Sequence, residues 1–111
     1  MAGDLVYYWI PVPDPDRAKA FYGKVLGWEF EQGSHADGWQ VTNTEPHSGI
    51  SGASEASHPQ VCFIVDDLEA AMEKVRELGG EAGEPRPGGP GRSAECRDDQ
   101  GTSFHLWASN D

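Results

Sequence analysis

LVYYWIPVPDPDRAKAFYGKVLGWEF, residues Leu5 to Phe30, decides how this chain is read. Val6–Val12 alternates aromatic and β-branched residues, the pattern of a half-buried strand. Alternation puts Tyr7, Trp9 and Pro11 on one face and Tyr8, Ile10 and Val12 on the other. Pro11 has no amide hydrogen to give a ladder, so the strand ends at an edge or leaves its sheet there. Asp14-Pro15 then starts a helix. The carboxylate accepts from unpaired first-turn amides, and proline's missing N–H costs nothing at the first helical position. Ala18, Phe21, Tyr22 and Val25 recur at helical spacing and predict an apolar stripe. Leu26-Gly27 ends the helix, and Trp28–Glu31 opens a second strand.

Outward from this stretch the plan repeats. Trp39–Asn43 reads as a third strand, Thr44–Ser48 as a loop and Gly49–Ala53 as a short fourth strand. Ser54–Pro59 is a small polar linker. Gln60–Val65 then alternates again, with Gln60, Cys62 and Ile64 on one face and Val61, Phe63 and Val65 on the other. Asp66 with Glu69 predicts a capping box, and Leu68, Ala71, Met72, Val75 and Leu78 form the next helical stripe. Gly79-Gly80 closes that helix as Gly27 closed the first. Glu81-Ala82 reads as a short strand, and Gly83–Arg92 (GEPRPGGPGR) as a loop. This loop lacks the preceding strand and following helix of a phosphate cradle. Ser93–Arg97 and Ser103–Ala108 read as strands joined by a tight turn, Asp98-Asp99-Gln100-Gly101. Val12 matches Val65 and Ala18 matches Ala71 at one common offset, so the expected fold is α+β with two tandem βαβββ modules. They span about residues 4–53 and 59–108 of a single domain, 1–111, because neither module buries both its helix stripe and its sheet alone.

Composition excludes several classes. The 111 residues carry 19 acidic and 8 basic side chains, a formal charge of −11, so a phosphate backbone repels this chain and no nucleic-acid partner is expected. No apolar run approaches the ~20 residues that span a bilayer, so no membrane partner is expected either. Residues 1–10 lack the basic start of a signal peptide, and the expected location is cytoplasmic. Cys62 and Cys96 have neither CxxC nor zinc-site spacing, and read as two buried thiols. No GxSxG or other nucleophile motif is present.

The sequence resembles the vicinal oxygen chelate superfamily, which holds glyoxalase I, extradiol dioxygenases, fosfomycin-resistance proteins and bleomycin-binding proteins. The residues that carry the likeness are Val12-Pro13-Asp14, Arg17-Ala18, Phe21-Tyr22 and Val25-Leu26-Gly27-Trp28-Glu29. In the second half they are Val65-Asp66-Asp67-Leu68, Leu78-Gly79-Gly80, and Asp98-Asp99-Gln100-Gly101 before Phe104-His105-Leu106-Trp107. The likeness covers Leu5 to Ala108. It implies modules that form a cup-shaped mixed sheet with helices on the convex side, a ligand on the concave face, and a homodimer.

It also implies where a divalent metal (Mn, Fe, Ni or Zn) would be held. The first-, fifth- and eighth-strand ligand positions fall on Tyr7, Gln60 and His105, while the fourth strand, Ile50-Ser51-Gly52-Ala53, offers no His, Glu or Gln. His105 is a good ligand type, Gln60 a tolerable one and Tyr7 a poor one, so the expectation is that no metal cofactor is used. His35, His47 and His58 fall in predicted loops and read as exposed. His58 shares the parity of Gln60, so a shift of register would bring it to the concave face; Glu55 falls past the end of the fourth strand.

Parity then nominates Tyr7, Trp9, Gln60, Cys62, Ile64, Ser103, His105 and Trp107 for the concave face, with Trp39 joining from the third strand. Trp28 reads as structural. Aromatic walls suit a planar or cationic small molecule, with Gln60 and His105 orienting it. The expected function is metal-free binding or sequestration of a hydrophobic or aromatic compound such as an antibiotic. Two enzymatic alternatives stand beside it: a divalent-metal lyase, isomerase or dioxygenase, and a metal-free enzyme with His105 as general base near Glu95.

Overall fold

The Asp14 carboxylate accepts the Arg17 amide at 3.2 Å and caps helix α1 (Pro15–Leu26), with Pro15 in its first turn. Gly27 ends the helix at φ +73°, a left-handed conformation that glycine adopts without strain. The structure, a computed structural model, describes residues 2–33, 37–52 and 58–110. The chain has the expected α+β class. It divides into two compact units, Tyr7–Gln60 (the first) and Val61–Asp111 with Met1–Val6 (the second).

Four strands order the first unit: β1 (Leu5–Pro11), β2 (Phe30–Gln32), β3 (Gly38–Val41) and β4 (His47–Ser51). They lie in the order β2-β3-β4-β1, with β1 parallel to β4 and the other neighbours antiparallel. Buried Val41 and Ile50 share a sheet face, and Ala18 is the buried residue of α1. The expected α1 stripe is only partly covered. Phe21 and Val25, on the same stripe as buried Ala18, stay 60% and 62% exposed. The fourth strand also begins earlier than expected, at His47.

The second unit repeats this wiring. Its strands are β5 (Gln60–Ile64), β6 (Glu81–Ala82), β8 (Gly91–Arg97) and β9 (Ser103–Ser109), in the order β6-β8-β9-β5. β5 runs parallel to β9, as β1 does to β4, and β9-β8 and β8-β6 are antiparallel. Helix α2 (Leu68–Glu77) is capped by Asp67, whose carboxylate accepts the Ala70 amide at 3.1 Å. The expected cap, Asp66, lies one residue too early. Leu68 and Met72 pack with Ala94, Cys96, Leu106 and Ala108 in a core flanked by Phe63, Val65 and Phe104. Those sheet residues share one parity, so α2 covers that face and leaves the other to different work.

Gly83–Arg92 is not wholly loop. It contains β7 (Arg86–Gly88), which folds back on β8 in the register Arg86↔Ser93 and Gly88↔Gly91. The two residues between, Gly89 and Pro90, make the turn, and Gly89 takes φ +63° there. The linker expectation at Ser54–Ser57 and the last residue of the expected fourth strand, Ala53, lie outside the described residues.

Candidate functional site

The candidate residues fall on two sheet faces, one in each unit. In the first, Tyr7 and Trp9 stand side by side on β1, with ring centroids 6.0 Å apart and planes 34° apart. Both rings are half-buried. Their β4 neighbours are His47 and Gly49, and Gln40 of β3 follows Gly49 in the same row. Gly49 leaves room for the Tyr7 phenol: a Cβ there would sit 2.5 Å from the Tyr7 hydroxyl oxygen. His47 is exposed and faces the same way as Tyr7, a placement that the reading of Thr44–Ser48 as a loop missed. The signal that could have found it is the parity of His47, Gly49 and Ser51, once the strand is extended by two residues.

Trp39 does not join them. Its register partner is Ile50, which puts it on the opposite face, and Lys19 of α1 lies 3.2 Å from its ring centroid. A cation there holds the indole against the helix side of the sheet. Trp28, read as structural, stacks on Tyr22 at 5.3 Å. Gln60 is buried and donates Nε2–H to the His58 carbonyl at 3.1 Å, with His58 Nδ1 3.2 Å away. His58 is thus beside Gln60 while its residue stays exposed. His35 and Glu55 lie outside the described residues.

In the second unit the face turned from α2 carries three rows across neighbouring strands. Glu95, His105 and Cys62 form one, on β8, β9 and β5. Ser93, Trp107 and Ile64 form the next, and Arg97 pairs with Ser103 in the third. Burial pushes the His105 pKa down from 6.5, with the Glu95 carboxylate pulling the other way. The imidazole is therefore neutral at pH 7 and able to accept a proton. Burial, then the neighbouring Cys96 thiol, pushes Cys62 up to about 11. Both cysteines are free and buried, as expected.

Trp107 is committed locally. Its indole N–H donates to the Gly88 carbonyl at 2.7 Å, and the bare glycines Gly88 and Gly91 lie against its ring. On the helix side, Arg92 Nη2 donates to Glu69 Oε1 at 2.6 Å. The β7-β8 hairpin is held from both faces.

The donor set does not fit a metal. No cluster of three His, Cys, Asp or Glu side chains suited to one occurs among the described residues. The Cys62 thiol stays protonated, and a phenol is a weak ligand at neutral pH.

Solved structures share the fold. Methylmalonyl-CoA epimerase from Mycobacterium tuberculosis is similar with a TM-score of 0.65 and 21% identity, over 98% of this chain and 89% of that one. A glyoxalase/bleomycin resistance protein/dioxygenase superfamily member from Vibrio splendidus 12B01 has a TM-score of 0.70 and 16% identity, over 96% and 99%. Hypothetical protein BH1468 from Bacillus halodurans C-125 has a TM-score of 0.73 and 16% identity, over 100% and 97%. No curated protein matches the sequence. The profile of the glyoxalase-like domain matches residues 8–107, and with the repeated βαβββ wiring this shows that the chain belongs to the glyoxalase-like domain family, within the superfamily its motifs resemble.

Proposed function

We propose that this chain binds a hydrophobic or aromatic small molecule, such as an antibiotic, without a metal cofactor. The observation that carries the reading is the Tyr7–Trp9 pair, two half-buried rings 6.0 Å apart on the β1 face opposite the one under Lys19. Two adjacent aromatic faces with one bare glycine neighbour favour a flat ligand through stacking. The weak donor set supports the metal-free part. Two free, buried thiols support a cytoplasmic location, and the charge of −11 supports a small-molecule rather than a nucleic-acid partner.

The test is a Trp fluorescence titration with planar aromatic compounds, cationic and anionic, on wild type and Trp9→Ala. Saturable one-to-one quenching without turnover, weakened in Trp9→Ala, is expected. Binding indifferent to Trp9 would sink the reading. Elemental mass spectrometry after dialysis against Mn and Ni tests the cofactor. About one bound metal per chain, lost in His105→Ala, would overturn the metal-free part.

A second reading, a metal-free enzyme with His105 as general base, is favoured by the Glu95–His105–Cys62 row. Glu95 stands next to His105, and burial keeps the imidazole neutral. Turnover of a bound compound that is abolished in His105→Ala and slowed in Glu95→Gln would put this reading first.

A further inference from the structure

On the face of the first unit turned from α1, strand pairing draws one row across all four strands. Trp9 of β1 stands beside Gly49 of β4, Gly49 beside Gln40 of β3, and Gln40 beside Glu31 of β2. Residues level with one another on neighbouring strands point to the same face, so the row runs from an indole over a bare backbone to an amide and then a carboxylate. Strands lie about 4.8 Å apart, which sets Gln40 roughly 10 Å and Glu31 roughly 14 Å from Trp9 along the row. Tyr7 fills the gap at Gly49, since a Cβ there would sit 2.5 Å from the phenol oxygen. Tyr7 and Trp9 are half-buried, while Gln40 and Glu31 are exposed.

Charge decides what such a row selects. The Lys and Arg residues of the first unit are Arg17, Lys19 and Lys24, and all of them belong to α1. That helix packs on the other face of the sheet, where Lys19 lies over Trp39. The four strands carry no Lys or Arg to neutralise Glu31. A flat ring stacked on Tyr7 and Trp9 therefore turns its far edge toward an amide oxygen and, beyond it, a carboxylate. A cationic arm on that ring meets both acceptors through charge-assisted hydrogen bonds, the stronger kind. An anionic arm meets repulsion, and a neutral arm leaves the carboxylate to water.

We propose that Gln40 and Glu31 set the specificity of this face, and that its ligand is an aromatic compound with a protonated amine on a short arm; this rests on the reading that Tyr7 and Trp9 hold the ring. The ring stacks on Trp9 and the arm crosses Gly49. The Gln40 amide oxygen accepts from the ammonium, and Glu31 pairs with its charge. Glu31 is exposed, so salt screens the pair and the selectivity is a matter of a few-fold rather than absolute.

Isothermal titration calorimetry at low salt tests this with three indoles of one shape: tryptamine (ammonium arm), tryptophol (hydroxyl arm) and indole propionate (carboxylate arm). Wild type should bind tryptamine about threefold to tenfold more tightly than tryptophol, and indole propionate most weakly. Glu31→Gln should weaken tryptamine about threefold to fivefold and leave tryptophol within about twofold, and Gln40→Leu should weaken tryptamine about threefold. Glu77→Gln removes the same charge from an exposed position on α2 and should leave tryptamine within about twofold. Far-UV circular dichroism checks that each variant is folded. Equal affinity for the three arms, or tighter binding of the carboxylate, with Trp9→Ala weakening all of them, overturns the selectivity while the aromatic reading stands. Tryptamine weakened as much by Glu77→Gln as by Glu31→Gln also overturns it, since overall charge would then do the selecting. Binding of no indole, or binding indifferent to Trp9→Ala, overturns the aromatic reading and the selectivity with it.

Discussion

Gly49→Ala should destabilise the first unit by about 1–2 kcal/mol. The added Cβ would lie 2.5 Å from the Tyr7 hydroxyl oxygen and 2.8 Å from the Trp39 carbonyl oxygen. The two contacts differ in kind. The phenol ends a side chain and can swing. The carbonyl belongs to β3, paired to β4 through Trp39↔Ile50 and Gln40↔Gly49, and moves only if the ladder moves. Forcing a methyl into such a site costs about 1–3 kcal/mol. Replacing glycine in a strand returns roughly 0.5–1 kcal/mol of backbone entropy. The net loss lowers Tm by about 4–8 °C in a chain of this size. Urea unfolding of wild type, Tyr7→Phe, Gly49→Ala and the double variant makes a cycle. Removing the hydroxyl should recover part of the loss, with a coupling of about 0.5–1 kcal/mol. A Gly49→Ala protein within about 0.5 kcal/mol of wild type would refute the argument. So would full recovery in the double variant, which would mean that the Trp39 carbonyl imposes nothing.

Three further outcomes follow from the second unit. Trp107→Phe keeps the ring but loses the N–H to the Gly88 carbonyl, so amide exchange at residues 86–91 should speed up, with about 0.5–1.5 kcal/mol lost; unchanged exchange would show that the hairpin is held without it. The Cys62 thiol, pushed up to about 11, should react with a disulfide reagent at pH 8 about a hundredfold more slowly in the folded protein than after denaturation. Comparable rates would contradict its burial. His105 titrates below its ordinary 6.5 when folded, so the unfolded chain binds its proton first as pH falls. The His105 contribution should therefore be present above about pH 6.5 and lost as pH drops through the folded value; His105→Gln should flatten that part of the stability curve, and an unaltered slope would count against it.

Much of this was readable because it depends on local chemistry. Asp14-Pro15 and Leu26-Gly27 fix the ends of α1 through caps that need no tertiary contact. The offset between Val12 and Val65 announced the duplicated wiring, and alternation put Phe63 and Val65 on one strand face, the one that packs against the α2 core. The misses needed partners distant in sequence. Trp39 faces α1 because β3 pairs with β4 in a register that puts it opposite Ile50, and no spacing in the sequence states a register. His47 reads as loop beside Pro46, and becomes strand only through Tyr7. Arg86–Gly88 holds too much glycine and proline to look like a strand, and pairs because Trp107 and Ser93 hold it. Asp66 and Asp67 are both good caps, and only the backbone turn at Asp67 chooses between them.

The residues before Val6 belong to the unit made of residues beyond Gln60, tied there by Gly3 N–H to the Ile64 carbonyl at 2.8 Å and Ile64 N–H to the Asp4 carbonyl at 2.9 Å. A ribosome delivers Gly3 and Asp4 long before Ile64 exists. They emerge with no strand to receive them and wait while the intervening stretch is made, at about 5–20 residues per second. The contiguous unit in between faces no such delay. Translation therefore imposes an order of assembly on two halves of the same design, with the later half closing only when Gly3 and Asp4 pair with it.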